Sequence, residues 1–243
     1  YFEIGGRKYH AVDDLLRLTR RLKQQKLLTD NPIFLINHIE WREHLMNDAE
    51  ELTEIQAMSP ELDLYIAPED PISWLLLAYI KEELADYYDI DLKVYPLSYH
   101  GRDFFDWSLA TRLSKRTGVQ FTPFCRPTAV ATLNIAQLFY SVSEEHRVDA
   151  MYRILESVWS RGKDLSFTTH YEQIKRDLAQ TFEMNLAVNT EQTVLSLEDI
   201  EKKLKDNDLR CEMKSQPDFP VLELRIDGKS YVFNSLYRVW MIE

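Results

Sequence analysis

Two side chains able to do chemistry, the carboxylate of Asp70 and the hydroxyl of Ser73, stand three residues apart where an alternating segment gives way to a helical one. In Leu62-Asp-Leu-Tyr-Ile66 the leucines and the isoleucine face one way and Asp63 and Tyr65 the other, the period-two pattern of a half-buried strand. The helix announces itself next. Asp70 is a good N-cap, Pro71 suits the first helical position, and Ile72, Leu75, Leu76, Tyr79, Ile80 and Leu84 recur at three-and-four spacing along one face. Any group mounted on Asp70 or Ser73 therefore sits at the positive end of a helix. A carboxylate there is favoured in its charged form, which makes it a poor proton donor, and an N-cap Asp before an N1 Pro also explains the pair without chemistry. Ser73 either donates a hydrogen bond to a bound thiolate or closes the first helical turn.

Asp70-Pro71-Ile72-Ser73, followed by Trp74-Leu75, resembles the front motif of the DsbA-like thioredoxin-fold family, which reads Cys-Pro-x-Cys or Ser-Pro-x-Ser. The Trp-Leu pair is like that of the branch holding the 2-hydroxychromene-2-carboxylate isomerases and kappa-class glutathione transferases. A second landmark, a cis-proline opening the third strand of the sheet, fits Asp218-Phe219-Pro220-Val221 before the alternating Leu222-Glu-Leu-Arg-Ile226. The resemblance spans roughly residues 61–243 and implies an α/β thioredoxin-like fold with a large α-helical insertion at about 98–216, roofing the site. It also implies glutathione as a cofactor and a small-molecule or thiol substrate. The backbone of Phe219 beside Pro220 would pair with the tripeptide, and Asn234-Ser235 at the start of the last helix would hold its γ-glutamyl end. Free N–H donors at a helix start suit that carboxylate, though both residues are equally ordinary caps.

The departure from the family is at Asp70, in the place of the reactive Cys or Ser. A carboxylate cannot form a disulfide and repels a glutathione thiolate. Two readings stay open: a glutathione-dependent isomerase or transferase related to thiol–disulfide oxidoreductases, or a catalytically degenerate binding or scaffold member. Dithiol exchange is not expected, because it needs a low-pKa thiolate with a resolving thiol beside it. Cys125 and Cys211 lie 86 residues apart and form no Cys-x-x-Cys. They read as reduced, partly buried cysteines of a cytoplasmic protein.

A chain of 243 residues with 45% hydrophobic content can bury a substantial core. Its net charge of −11 argues against a nucleic-acid surface or an anionic membrane face, both of which need clustered Lys and Arg. No segment has the unbroken apolar length of a membrane span, and no signal peptide is visible, so a soluble protein is expected. The histidines are scattered without metal-ligand spacing, and no metal is expected.

The chain begins with a strand at 1–4, a Gly5-Gly6 turn, a second strand at 7–10 and a helix at 12–24. This unit occurs twice: Ile4-Gly-Gly-Arg-Lys-Tyr9 aligns with Ile226-Asp-Gly-Lys-Ser-Tyr231, and Asp13-Asp-Leu-Leu-Arg-Leu18 aligns with Asn234-Ser-Leu-Tyr-Arg-Val239. Residues 1–58 are thus expected to form a partial repeat of the closing hairpin–helix unit plus a helical linker, and 59–243 the thioredoxin-like domain, with Ser59-Pro60 at the boundary. The strands that the partial copy lacks would come from a second chain, as in a homodimer, or from an upstream tandem domain. Within the insertion, helices are expected at 104–116, 127–141, 144–161, 170–182 and 197–207. Tyr95, Tyr99, Phe104, Phe105, Trp107, Phe121 and Phe124 are mostly core, with a share available to line a pocket, and Tyr99, His100 and Arg126 are the polar residues placed to join a site.

Overall fold

The computed structural model describes residues 2–4, 7–9, 61–85, 90–101, 107–122, 126–182, 195–214, 220–226 and 228–233. By its internal contacts the chain divides into a unit Tyr1–Leu52 and a unit Thr53–Glu243. In the first, β1 (Phe2–Ile4) pairs antiparallel with β2 (Arg7–Tyr9), and Ile4 opposite Arg7 closes the hairpin. The expected helices at 12–24 and in the linker lie outside the described residues.

In the second unit the alternating segment forms β3 (Glu61–Ile66), the crossover helix is α1 (Pro71–Tyr79), and β4 (Asp91–Pro96) returns parallel to β3. The insertion follows as α2 (Trp107–Thr117), α3 (Ala129–Tyr140), a 3₁₀ turn (Glu144–His146), α4 (Arg147–Trp159), α5 (Thr168–Thr181) and α6 (Leu197–Glu212). Then β5 (Val221–Ile226) and β6 (Lys229–Phe233) close the sheet, whose strand order is β4-β3-β5-β6. β3 and β5 are antiparallel, as are β5 and β6, so a parallel pair and an antiparallel hairpin share one sheet. The second hairpin closes with Ile226 opposite Lys229 across two residues, the pairing that Ile4 and Arg7 make in the first. Gly228 has φ +72°, a conformation that a Cβ would strain.

Period two fixes which face of the sheet is apolar. Leu62, Leu64 and Ile66 are fully buried, and the register sets Leu62 beside Leu224 and Leu64 between Val94 and Leu222. On the opposite face Asp63 lies across from Glu223 and Glu61 across from Arg225. The Arg225 guanidinium joins them, donating from Nη1 to Asp63 Oδ2 at 2.7 Å and from Nη2 to Glu61 Oε2 at 2.9 Å. Lys214 and Ser230 complete Glu223. Two carboxylates as buried as Asp63 and Glu223 need such partners, since an isolated buried charge is very costly.

The sequence pattern gives α1 one apolar face. The structure corrects this, because Pro71, Ser73, Trp74, Leu75, Leu76, Leu77 and Ala78 are all buried, leaving Ile72 and Tyr79 half-buried. A helix that is apolar nearly all round is a central one, packed on several sides. α1 lies against β3, α2 and α4. After Tyr79 the helix widens into a π-helical segment, Ile80–Ala85, in place of a continuous α-helix.

Among the described residues, two helix ends differ from expectation by three residues or more. Glu144–His146 is a 3₁₀ turn ahead of α4, and α6 runs to Glu212, five residues past the expected end at Asn207. The extension follows from a buried stripe that continues along the helix. Ser196 and Asp199 form a full capping box at its start, and Leu204 and Cys211 keep a buried stripe running beyond Asn207. Among the described residues no helix is long and apolar enough to cross a membrane.

Candidate functional site

Ala67-Pro-Glu-Asp70 carries the chain from the end of β3 into α1 as a turn closed by the Asp70 N–H donating to Ala67 O at 2.9 Å. Pro71 has no N–H, so the first donor that the helix must satisfy is that of Ile72. Asp70 Oδ1 accepts it at 2.9 Å, and the Asp70 backbone is extended at φ −101°, ψ 118°, as an N-cap requires. Ser73 turns back rather than outward: its Oγ accepts the Ala67 N–H at 3.2 Å, and the residue is fully buried. Both motif side chains are thereby engaged in building the turn.

Around this turn the insertion supplies the walls. The Trp159 indole donates to Pro68 O at 3.1 Å, and the Trp74 indole donates to Gln120 O at 3.0 Å. Trp107 stacks on Phe121, and both rings lie about 6 Å from that of Trp159, an aromatic bank beside the turn. Asn207 of α6 donates to Pro96 O at 2.8 Å and to the Tyr140 hydroxyl at 3.0 Å, fixing α6 over the end of β4.

The polar residues gather in the loop after β4. Glu69 Oε1 accepts the His100 N–H at 2.8 Å, His100 Nε2 stands 3.4 Å from Asp208 Oδ1, and Asp208 also accepts the N–H and hydroxyl of Ser98. The Arg126 guanidinium lies over the Tyr99 ring at 5.4 Å. Burial alone would raise the Asp208 pKa. The hydrogen bonds from His100 and Ser98 outweigh it and hold the carboxyl below its usual value. Glu69 goes the other way: burial pushes its pKa up, and the backbone N–H of His100 and the charges of His100 and Arg126 offset this only in part.

Pro220 is buried and immediately precedes Val221, which pairs with Tyr65. Continuing that register sets Pro220 across from Ile66, at the same end of the sheet as the turn. Asp70, Ser73 and Pro220 thus lie at the same end of the sheet, and Tyr99, His100 and Arg126 gather with Glu69. Phe219, with the geometry of its bond to Pro220, and Asn234 and Ser235 lie outside the described residues, as do Phe104, Phe105, Phe124 and Cys125. Tyr95 stacks on Tyr65 at 5.0 Å on the other face of the sheet, so it is not part of this wall. Sequence reasoning passed over Glu69 and Asp208. For Glu69 a signal was present, a second acid between the two prolines of Pro-Glu-Asp-Pro, whereas Asp208 lies 110 residues from Ser98 and had none.

Superposition on solved structures settles the architecture. A protein from Nitrosomonas europaea assigned as a protein disulfide isomerase matches with a TM-score of 0.54 at 14% identity, over 76% of this chain and 96% of that one. The chain has a DsbA-like thioredoxin fold. A 2-hydroxychromene-2-carboxylate isomerase shares it with a TM-score of 0.53 at 14% identity, covering 75% of this chain and 92% of that one. The cytosolic disulfide reductase DsbM from Pseudomonas aeruginosa does so at 0.50 and 13% identity, over 75% and 95%. No protein-family model matches the sequence, and no curated protein matches it. The DsbA-like fold accounts for the strand order, the central α1 and the helical insertion between β4 and β5. Among the described residues no group of three acids, histidines or cysteines is arranged to hold a metal ion.

Proposed function

We propose that this DsbA-like protein binds a small thiol, with glutathione as the reference ligand, at the start of α1 and acts as an isomerase or transferase rather than by dithiol exchange. The observation that carries the reading is the helix start itself. Asp70 caps Ile72 and Ser73 ties back to Ala67, so the place of the attacking sulfur is held by a capping carboxylate. Cys211, the described cysteine, is buried among Tyr65, Leu97 and Val221, whereas reactive thiols sit in partly exposed electropositive sites. What surrounds the helix start is polar: Glu69, His100, Arg126 and Asp208, with Arg126 a permanent cation. The Asp70-Pro71-Ile72-Ser73-Trp74-Leu75 run and the shared fold support the isomerase and transferase branch, and a cytoplasmic setting, where glutathione is the thiol pool, belongs to the same reading.

Thermal unfolding with increasing glutathione tests it. A ligand that binds only the folded state stabilises by about 2.7 kcal/mol at a hundredfold excess over Kd, so the transition should climb steadily with concentration. An unchanged transition into the millimolar range would refute the thiol site. Insulin-reduction turnover above a protein-free control would refute the exclusion of dithiol exchange.

A further inference from the structure

The turn into α1 buries a carboxyl group that capping does not require. Glu69 is 1% exposed, its Oε1 takes the His100 N–H at 2.8 Å, and its Oε2, also buried, has no hydrogen-bond partner among the described residues. Buried polar atoms are satisfied with few exceptions, and an exception beside a helix start calls for something to complete it. The charges facing Glu69 narrow what that is. Asp70 stands next to it at the head of α1, His100 and behind it Asp208 come from the loop after β4 and from α6, and Arg126 approaches from the segment before α3. Among the described residues, an ionised Glu69 would be a third carboxylate beside Asp70 and Asp208, with Arg126 as the permanent cation. A protonated one adds no charge and turns Oε2 from an unmatched acceptor into a donor.

We infer that Glu69 is the hydrogen-bond donor of the site, its Oε2–H held toward the sulfur of a bound small thiolate, in the role that the resemblance left to Ser73. The inference rests on the thiol-binding reading above. On binding, the ligand's S–H bond breaks, its proton goes to water or buffer, and sulfur keeps the electron pair and accepts the hydrogen bond from Glu69. No bond to Glu69 is made or broken. The raised pKa that burial imposes on Glu69 is consistent with this protonation state.

Two measurements decide it. In the ligand-free protein at neutral pH, infrared spectra should show the C=O stretch of a protonated carboxylic acid, displaced in heavy water and missing from Glu69→Gln. Absence of that band overturns the inference whatever glutathione does. With glutathione added, Glu69→Ala should bind about tenfold more weakly and move the bound thiol's ultraviolet-detected titration up by roughly one pH unit, the worth of one hydrogen bond to a charged group. Glu69→Gln, which keeps an N–H donor in the same place, should stay near the parent and shows that the site still folds. Parental binding and an unshifted titration in Glu69→Ala would overturn the donor role while leaving the thiol site standing. Failure of the parent itself to bind glutathione would overturn both.

Discussion

Replacing Asp70 separates capping from chemistry. The Asp70 carboxylate accepts the Ile72 N–H at 2.9 Å in a turn where the residue is only 5% exposed, and Pro71 leaves no earlier donor to share the loss. Asp70→Ala removes a cap, worth typically about 1 kcal/mol, and strands a poorly hydrated N–H, which adds about 1 kcal/mol more. A total of roughly 2 kcal/mol follows. With a urea slope of about 3 kcal/mol/M, the unfolding midpoint of this variant should fall by roughly 0.7 M. Asp70→Asn keeps an oxygen acceptor and ranks with Asp as a cap, so it should cost less than about 0.5 kcal/mol. The assay is urea unfolding followed by far-ultraviolet circular dichroism for the parent and both variants. An equal loss in both would mean that the negative charge, not the cap, holds the turn, and no loss in Asp70→Ala would remove the capping argument altogether.

Asp70→Cys combined with Ser73→Cys should create insulin-reducing activity that the parent lacks, since the helix start then offers the thiolate and resolving thiol that the fold accommodates; an inert double variant would show that the surroundings, not the missing sulfur, forbid exchange. Trp159→Phe keeps an aromatic ring but leaves Pro68 O without its 3.1 Å donor and removes part of a fully buried side chain, and chemical unfolding should register a loss of at least about 1 kcal/mol, with no change counting against that anchor. Asp208 has its pKa lowered in the folded state, so its stabilising contribution is present above the unfolded value of about 3.9 and is lost as pH falls through the lower folded value. Asp208→Asn should therefore flatten the acid limb of a stability–pH profile, and an unchanged limb would contradict the His100 and Ser98 contacts.

How much of this was legible in the sequence depended on the range of the interaction that decides each element. β3 could be read because alternation is local, and the turn into α1 because an N-cap and an N1 proline are adjacent in the chain. The central position of α1 was not legible, since three-and-four spacing shows which residues are apolar but not how many neighbours the fold will press against them. The same limit applies to the site. Asp70, Ser73 and Pro220 were placed by motif, and Tyr99, His100 and Arg126 by lying near a strand end. Glu69 became noticeable only once its Oε2 proved to be buried and bare, and Asp208 only once α6 ran past Asn207 to bring it over Ser98.

The bonds that hold the insertion over the turn have a kinetic consequence. Trp159 to Pro68 spans 91 residues, Asp208 to Ser98 spans 110, and Asn207 to Pro96 spans 111, whereas the turn's own bonds close within six. Contacts between distant parts of a chain form only after the loop-closure entropy has been met, and chains that depend on them fold slowly. On refolding, α1 and its cap should therefore appear early and the polar cluster around His100 last. A nascent chain that has emerged only as far as α2 would carry the whole motif, with Glu69 and His100, but not the Arg126, Asp208 and Pro220 that complete the site.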